Sequence, residues 1–269
     1  MSEAAVTKER VGGLQRSYWL PLQGCPGCQH PVVSRLIAEV LEEMDLDGSA
    51  IIALGVGCAA CIAGLNIDAV LGSHGGAPDI ATAIKRLHPE RFVLTMQGDG
   101  DYIAIGAGPL IAAMGRGENI TIIMANNTNY GTTGGQLAPT TVMGQITSTT
   151  PKGRDQQTEG FPIHAAELAA TFQGVSYSAR GALDTMANYQ RTKKFLRRAF
   201  QKQLDREGLS FVEVISACPP NWHMTPLESV DWITNVVLRE FPVGEFKNAK
   251  RADALSRQQG KAASKGNPA

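Results

Sequence analysis

The sequence has no hydrophobic run approaching the roughly 20 residues that cross a bilayer, and its polar N-terminus, MSEAAVTKERVGG, lacks the apolar stretch of a signal peptide. It also has no net charge, because 25 Lys and Arg offset 25 Asp and Glu. That balance argues against a broad surface for nucleic acid or anionic membrane. Aromatic residues make up only 6% of the chain. We therefore expect a cytoplasmic protein that neither spans a membrane nor binds nucleic acid.

What is present favours an α/β enzyme. The chain has 269 residues, 43% of them hydrophobic, and 29 glycines that suit many backbone turns. We predict one domain over residues 1–246. The segment 247–269 carries six Lys and Arg against one Asp and is predicted to be a flexible basic tail. A solvated extension is favoured there over an arm that docks a partner.

Short β-branched runs alternate with helical patterns along the chain. The runs SAIIAL (49–54), RFVLTMQ (91–97), NITIIMA (119–125) and SFVEVIS (210–216) predict buried strands, and 174–178 is a weaker candidate. Helical periodicity covers 31–44, 78–87, 102–114, 164–172, 183–207 and 227–241. This alternation predicts a mostly parallel sheet with helices on both faces. Functional residues of such sheets lie at the carboxyl ends of the strands.

One long segment, 127–160, has no periodicity and is rich in Gly, Thr, Gln and Pro. Irregular segments of this length inside a compact domain are usually functional or disordered. Because this one begins directly at a predicted strand end, a functional loop is favoured.

Two successive strand ends carry a pattern that suits a metal and a diphosphate. Gly98-Asp99-Gly100-Asp101 follows one strand, and Asn127 follows the next. Glycines and a helix start offer backbone N–H groups to an anion, and Mg²⁺ would join a carboxylate to a phosphate. Asp99, the Asn127 amide and the Asn129 carbonyl are the predicted magnesium ligands. A helix-capping Asp and an Asn-rich turn would account for either half alone, but the pair resembles the thiamine diphosphate motif.

A competing pattern follows the first strand. Gly55-Val56-Gly57-Cys58-Ala59-Ala60 fits a relaxed dinucleotide fingerprint, with Asp79 at a suitable distance. The cysteine within the turn and Gly64, where a helix should run, both weaken it. An NAD-dependent dehydrogenase is therefore a minor alternative.

The five cysteines indicate a metal site, since a cytoplasmic chain keeps its thiols reduced. Cys25 and Cys28 form one C-x-x-C pair, Cys58 and Cys61 a second, and Cys218 precedes two prolines. Four thiolates hold either a [4Fe–4S] cluster or a structural zinc. The Gly-rich and Pro-rich turns around these cysteines favour the cluster, whose sulfides accept backbone hydrogen bonds.

Taken together, the motifs resemble the β subunit, which binds thiamine diphosphate, of 2-oxoacid:ferredoxin oxidoreductases. The resemblance covers 24–246 and rests on CPGCQH, LGVGCAAC, SHGGAPDIATAIK, GDGDYIAIG, NNTNYGTTGGQLAPTT and CPPNWHMTP, in that order. It implies a thiamine-diphosphate-binding fold. The cofactor-binding residues that it implies are Gly57, Cys58, His74, Gly98, Asp99, Gly100, Asp101, Asn127, Tyr130, Gly131 and Thr132, with further contacts from Thr133 and Gln136.

The resemblance also assigns the cysteines and exposes two departures. It implies that Cys25, Cys28, Cys58 and Cys218 hold the [4Fe–4S] cluster, which leaves Cys61 as a small buried hydrophobe. The family usually has Gly where this chain has Gln29, and Arg where it has Gly76. The missing Arg removes one possible partner for a diphosphate or a substrate carboxylate. For His223, surface packing is favoured over a role beside the cluster.

The implied activity is the oxidative decarboxylation of a 2-oxoacid to acyl-CoA and CO2, with electrons passing through the cluster to ferredoxin or a similar acceptor. The expected substrate is 2-oxoglutarate or a branched-chain 2-oxoacid, with pyruvate or an aryl 2-oxoacid as alternatives. Expected partners are an α subunit and a γ or ferredoxin-like δ subunit. No motif nominates an activating Glu in this chain, so we expect that residue on the α subunit and no turnover by this chain alone.

Two alternatives concern electron transfer. A non-catalytic iron–sulfur or zinc module would not need the Asp99 and Asn127 pattern, which favours the enzyme. The basic residues of 183–207 would suit an acidic electron carrier, although a solvated helix face is favoured.

Overall fold

The structure, a computed structural model, describes residues 24–61 and 64–249, and of Cys61 only the backbone. Its strands are β1 (Ala50–Leu54), β2 (Asp68–Leu71), β3 (Phe92–Gly98), β4 (Thr121–Asn126), β5 (Asn129–Tyr130), β6 (Gln136–Leu137), β7 (Val175–Ala182), β8 (Leu209–Ile215) and β9 (Gly244–Asn248). Its helices are α1 (His30–Glu43), α2 (Cys58–Cys61), α3 (Ala77–Leu87), α4 (Ala107–Arg116), α5 (Ala165–Thr171), α6 (Met186–Leu204), α7 (Pro219–Trp222), α8 (Pro226–Trp232) and α9 (Leu238–Glu240). Two π-helical segments, Asp101–Ile105 and Ile233–Val237, precede α4 and α9.

The main sheet of the described residues has seven strands in the order β2-β1-β3-β4-β8-β7-β9, and every pairing is parallel except that of β7 with β9. The strands predicted from the β-branched runs form its centre. Residues of β4 and β8 are buried throughout, as expected of strands covered on both faces. The predicted fold class is confirmed.

Helices pack on both faces because neighbouring residues of a strand point to opposite sides. Leu94 and Ile123 face the core under α1 and α6, while Val93 and Ile122 face the core under α3, α4 and α5. Because β1, β3, β4 and β8 are adjacent and parallel, their carboxyl ends lie side by side along one edge of the sheet. The segments that leave this edge carry the predicted site residues.

Several predicted elements differ from the structure. The helix predicted over 102–114 begins as the π-helix Asp101–Ile105 and becomes α-helical only after Gly106, whose backbone lies against Gly75 with no room for a Cβ atom at either residue. The helix predicted over 227–241 is interrupted by the π-helix Ile233–Val237. The strand predicted less clearly at 174–178 is strand β7, which continues to Ala182. The helix predicted over 183–207 is α6, which begins later, at Met186.

The edge strands β2 and β9 carry no buried run of the kind that reveals a strand in sequence. All residues of β2 are exposed, and those of β9 are exposed or half-buried. Strand β9 also passes the predicted domain boundary at residue 246 by two residues. The rest of the predicted tail, from residue 250, lies outside the described residues.

No helix in the described ranges is both long and apolar enough to pass through a membrane.

Candidate functional site

A cleft at the carboxyl edge of the sheet gathers most of the predicted site residues. Its walls come from the segments that follow β1, β2, β3 and β4 and from the start of α1. The predicted residues that line it are Gly57, Cys58, His74, Gly98, Asp99, Gly100, Asp101, Asn127, Asn129, Tyr130, Gly131, Thr132 and Thr133. The cleft also includes His30, Val56 and Ala59, which were not predicted. Residues far apart in sequence therefore share one cavity.

The side chains of Asp99 and Asn127 and the main-chain carbonyl of Asn129 meet in this cleft. The Asn127 amide nitrogen donates to Asp99 Oδ1 at 3.2 Å and to the main-chain oxygen of Asn129 at 2.8 Å. Turning this amide over would bring its own oxygen beside the other two, an arrangement that suits a cation. Carboxylate, amide and carbonyl oxygens are hard ligands of the kind Mg²⁺ takes. The predicted ligand set thus fits the metal.

Asp99 is held within the fold by the long loop. Its side chain is 1% exposed, and the Thr140 hydroxyl donates a short hydrogen bond to its Oδ2. Burial raises the pKa of Asp99 from 3.8 to about 7, opposed by the Thr140 hydrogen bond. A buried carboxyl of this kind gains from a cation that keeps it charged.

We expect binding of magnesium and thiamine diphosphate to weaken as the pH falls below 7. The cation needs the ionised form of Asp99, so protons compete with it. The apparent affinity should fall by up to about tenfold per pH unit. Titrations followed by tryptophan fluorescence at pH 6, 7 and 8 would measure this slope. The slope that the ligand's own phosphate causes is measured separately, by titrating free thiamine diphosphate with magnesium at the same pH values. A slope of protein binding no larger than this one would contradict the assignment.

Asp101 joins two loops of the cleft rather than facing the metal position. Its carboxylate accepts hydrogen bonds from Val56 N at 3.0 Å, Gly75 N at 2.5 Å and Gln97 Nε2 at 2.5 Å. The His74 ring makes a short hydrogen bond to it through Nδ1. The carboxylate is thus engaged by protein donors, and its backbone is the part still available to a diphosphate. The His74 ring lines the cleft beside it.

The segment after Asn127 forms the opposite wall. Tyr130 lies over Gly100, where any Cβ atom would meet the ring within 3 Å, and its hydroxyl donates to Gly100 O at 3.2 Å. The Thr132 hydroxyl lies 2.9 Å from Cys58 Sγ. Thr133 and Gln136 hydrogen-bond to each other, and both are exposed or half-buried. The contacts expected from these two residues with a cofactor stay a prediction.

The predicted cluster cysteines lie near one another, and Cys58 among them lines the cleft. Burial, together with the neighbouring thiols of Cys218, Cys58 and Cys25, raises the pKa of the Cys28 thiol to about 12. Asn221 Nδ2 donates to Cys218 Sγ at 3.4 Å. The side chain of Cys61 lies outside the described residues.

The spacing of these thiols bears on the choice between zinc and a cluster. Within the described residues, no three Cys, His, Asp or Glu side chains close around a point as a single metal ion requires. A tetrahedral zinc needs its sulfurs at about 2.3 Å from one ion. A [4Fe–4S] cluster places its ligand sulfurs around a larger body. The [4Fe–4S] cluster therefore stays a prediction for these four thiols.

Several residues that hold the site had not been predicted. Thr140 bonds Asp99, and Trp222 Nε1 donates to Asn127 O at 3.2 Å. The buried Glu213 accepts from Asn126 Nδ2 at 2.7 Å, while Asn126 Oδ1 accepts from Thr128 N. Thr128 has a positive φ of 58°, a turn that Asn126 thereby stabilises. A polar residue inside the buried strand β8 was the one available signal for Glu213.

His30 is also part of the cleft. It is 2% exposed, and neither ring nitrogen has a hydrogen-bond partner among the described residues. Burial lowers its pKa to about 4.

His223, in contrast, is exposed with φ 54° at the end of α7, which agrees with the predicted surface position.

The dinucleotide alternative does not fit the local backbone. After Gly57 the chain forms only the short helix Cys58–Cys61, and Asp79 lies in the first turn of α3. The fingerprint needs a long helix after the turn and an acidic residue about 20 residues further on that reaches the ribose. Cys58 instead faces the loop of Thr132.

The basic face of α6 is largely neutralised. Lys193 bonds Glu39 and Glu43, and Arg197 also reaches Glu43. Arg198 bonds Glu245, and Lys202 bonds Glu207. A face whose charges are paired within the chain favours the solvated-helix alternative over a surface for an acidic carrier.

Comparisons with known proteins give a matching family model and several relatives of this chain. Residues 55–214 match the family described as thiamine pyrophosphate enzyme, C-terminal TPP binding domain. The chain is 37% identical over 226 residues to the ketoisovalerate oxidoreductase subunit VorA of Methanothermobacter thermautotrophicus, a match that covers 83% of this chain and 47% of that protein. It is 35% identical over 215 residues to the 2-oxoglutarate synthase subunit KorB of Archaeoglobus fulgidus, covering 79% and 76%.

The chain thus spans about half the length of the ketoisovalerate oxidoreductase subunits it matches. Its fold is similar to that of a 2-oxoglutarate:ferredoxin oxidoreductase from Magnetococcus marinus solved with 2-oxoglutarate, coenzyme A and succinyl-CoA. The TM-score is 0.72 at 20% identity, with 94% of each chain covered. At this identity the likeness shows the fold.

Proposed function

The chain belongs to the family of 2-oxoacid oxidoreductase subunits that contain the thiamine pyrophosphate binding domain, and from this premise we propose that it binds magnesium, thiamine diphosphate and a [4Fe–4S] cluster in one cleft. The observation that carries the proposal is the meeting of the Asp99 carboxylate, the Asn127 amide and the Asn129 carbonyl near four neighbouring thiols. An electron-carrying module would need the thiols but not these oxygens.

Each of the three groups would be held by its own set of residues. Asp99, Asn127 and the Asn129 carbonyl would hold Mg²⁺, and the Gly98–Asp101 backbone would hold the diphosphate. Cys25, Cys28, Cys58 and Cys218 would hold the cluster, with Asn221 bonding the sulfur of Cys218. When bound, thiamine diphosphate supplies the carbon that takes up the 2-oxoacid, and the cluster accepts the electrons one at a time.

The protein's own part is positioning and desolvation. Thr140, Trp222 and Asn126 hold Asp99 and the Asn127–Asn129 turn in place, and Asp101 ties together the loops of Val56 and Gly75. His74 lines the cleft with its Nδ1 bonded to Asp101. Fixed polar groups in a buried site bind charge without reorganising when it arrives.

We further propose a branched-chain 2-oxoacid or 2-oxoglutarate as substrate, since the matched relatives are named for ketoisovalerate and 2-oxoglutarate. Acyl transfer to coenzyme A, an α subunit that supplies the activating Glu, and ferredoxin or a similar acceptor complete the proposal. Within the described cleft no Glu side chain is among the lining residues, which supports a partner that provides it.

Anaerobic purification of the full chain, alone and with its partner subunits, tests the proposal. We expect thiamine diphosphate and magnesium in both preparations, with about four irons per chain in the chain purified alone and more where a ferredoxin-like partner adds its own clusters. Reduction of a viologen that depends on a 2-oxoacid and coenzyme A should occur only with the partners. Zinc in place of iron, no bound thiamine diphosphate, or turnover by the single chain would each contradict the corresponding part.

A further inference from the structure

We propose that Gln29 is a positioning residue that links the turn of Cys25 and Cys28 to the segment entering Cys218, and so presets the spacing of the thiols before any cluster binds. The inference rests on the proposed function, because it concerns the cluster-binding cysteines. It concerns a position where the chain departs from the glycine that the resemblance implies.

The side-chain amide of Gln29 makes one hydrogen bond through its oxygen and one through its nitrogen, to two different segments of the chain. Ala217 N donates to Gln29 Oε1 at 2.9 Å, and Gln29 Nε2 donates to Leu183 O at 2.9 Å. The Gln29 backbone N–H also donates to Ala217 O at 3.3 Å. Gln29 and Ala217 are 188 residues apart in the chain, so these bonds join distant segments.

The position of Gln29 in α1 makes this use of its side chain informative. It is the N-cap residue of α1, yet its side chain makes no capping hydrogen bond. N-cap positions favour Ser, Thr, Asp and Asn, whose short side chains reach the free N–H groups of the helix. The Gln29 carbonyl accepts the first hydrogen bonds of the helix, from Val32 N and Val33 N, but its side-chain amide serves only the contact with residues 183 and 217.

The polar groups that Gln29 meets are hard to satisfy otherwise. Ala217 is 1% exposed and Leu183 is 8% exposed. A buried backbone N–H or carbonyl without a partner is unfavourable. Without the Gln29 amide, the segment before Cys218 would have to move toward another partner or toward water.

A second contact lies on the other side of Cys218. Gly27, with φ 76°, packs so closely that an added Cβ atom would lie 3.1 Å from Pro219 and 2.6 Å from Pro226. The turn of Cys25 and Cys28 therefore contacts the chain just before Cys218, through Gln29 and Ala217, and just after it, through Gly27 and Pro219. Cys218 is held between these two contacts.

Preset spacing matters because thiolates repel each other. A cluster requires four ionised sulfurs in one place, and their like charges oppose that arrangement until the metal arrives. Contacts that hold the backbone of two ligand segments together keep the thiols in reach of the cluster. Of these contacts, the two hydrogen bonds of the Gln29 amide are those that a side-chain substitution can remove.

The experiment compares the full-length chain with Gln29→Leu, which loses both amide bonds, and Gln29→Glu, which keeps only the acceptor for Ala217 N. Gln201→Leu, on the exposed side of α6, is the matched control. Each anaerobic protein is treated with an iron chelator, and the rate of iron release is followed by absorbance. We expect release to be about 5- to 20-fold faster for Gln29→Leu, intermediate for Gln29→Glu and unchanged for the control.

A second measurement does not depend on the cluster. Hydrogen exchange in the metal-free proteins should show a protected Ala217 amide in the wild type and loss of that protection in Gln29→Leu, with equal protection in the strands of the sheet. Iron release from Gln29→Leu at the wild-type rate, or an equally protected Ala217 amide, would overturn the inference alone. A wild-type chain that binds no iron–sulfur cluster would instead overturn the proposed function on which the inference rests.

Discussion

Asp99→Ala should abolish measurable binding of magnesium and thiamine diphosphate, a loss of affinity on the order of 100-fold or more. Asp99 is the one charged member of the oxygen set formed with Asn127 and Asn129, and it lies fully inside the fold. Neutral oxygens alone hold Mg²⁺ weakly. Isothermal titration of the metal-free chain with the cofactor at saturating magnesium would measure the loss.

The same substitution should leave the folded chain intact. The pKa of Asp99 is raised from 3.8 to about 7, so ionising it disfavours the native state. The wild type without metal should lose up to about 4 kcal/mol of stability as the pH rises from about 4 to about 7, and Asp99→Ala should not show this loss.

The exposed Asp205, at the end of α6, provides the control, since Asp205→Ala should bind the cofactor normally. Urea unfolding at pH 5 and pH 8 measures the stability term. Normal cofactor binding by Asp99→Ala would remove the basis of the proposed function.

Arg154→Ala should destabilise the chain by about 3–5 kcal/mol and remove cofactor binding as well. Arg154 is 6% exposed and lies within the long loop, where its guanidinium donates to a set of main-chain oxygens instead of pairing with a carboxylate. The acceptors are Ala138, Pro139, Thr141, Glu159, Gly160 and Phe161. Losing the guanidinium leaves carbonyls inside the loop without donors.

The link to the cofactor runs through Thr140. The oxygens on either side of it, those of Pro139 and Thr141, accept from Arg154, and its hydroxyl bonds Asp99. A loop that loses Arg154 should therefore also release Asp99. Arg154→Lys should recover only part of the stability, because a single ammonium group cannot span acceptors on both sides of the loop.

Arg198→Ala is the matched control. Arg198 is exposed and pairs with Glu245, so its loss should cost less than about 1 kcal/mol. Urea unfolding and cofactor titration of the three variants would test the prediction. Equal stability of Arg154→Ala and the wild type would show that the loop is held by other contacts.

The residues of the site differ in how visible they were in sequence. Asp99 and Asn127 follow buried strands directly, and strands of this kind are revealed by their runs of β-branched residues. Thr140 and Trp222 act across contacts with distant segments, and nothing in their neighbourhood distinguishes them from loop or core residues. Gln29 stands out in sequence only as a departure from a glycine, which does not reveal its distant partners. Arg154 resembles an ordinary solvent-exposed arginine in the sequence, because its acceptors are backbone oxygens that carry no side-chain signal.

The same division holds for the fold. The order of strands and helices, the parallel centre of the sheet and the edge at which chemistry gathers were all determined by the sequence, because burial on both faces demands long apolar runs. Only the tertiary structure decided the strands β2 and β9, the π-helical start at Asp101 and the shape of the loop 127–160. Edge strands and loops are held by backbone pairing and by side chains that meet after the chain has folded, and neither leaves a periodic pattern to find.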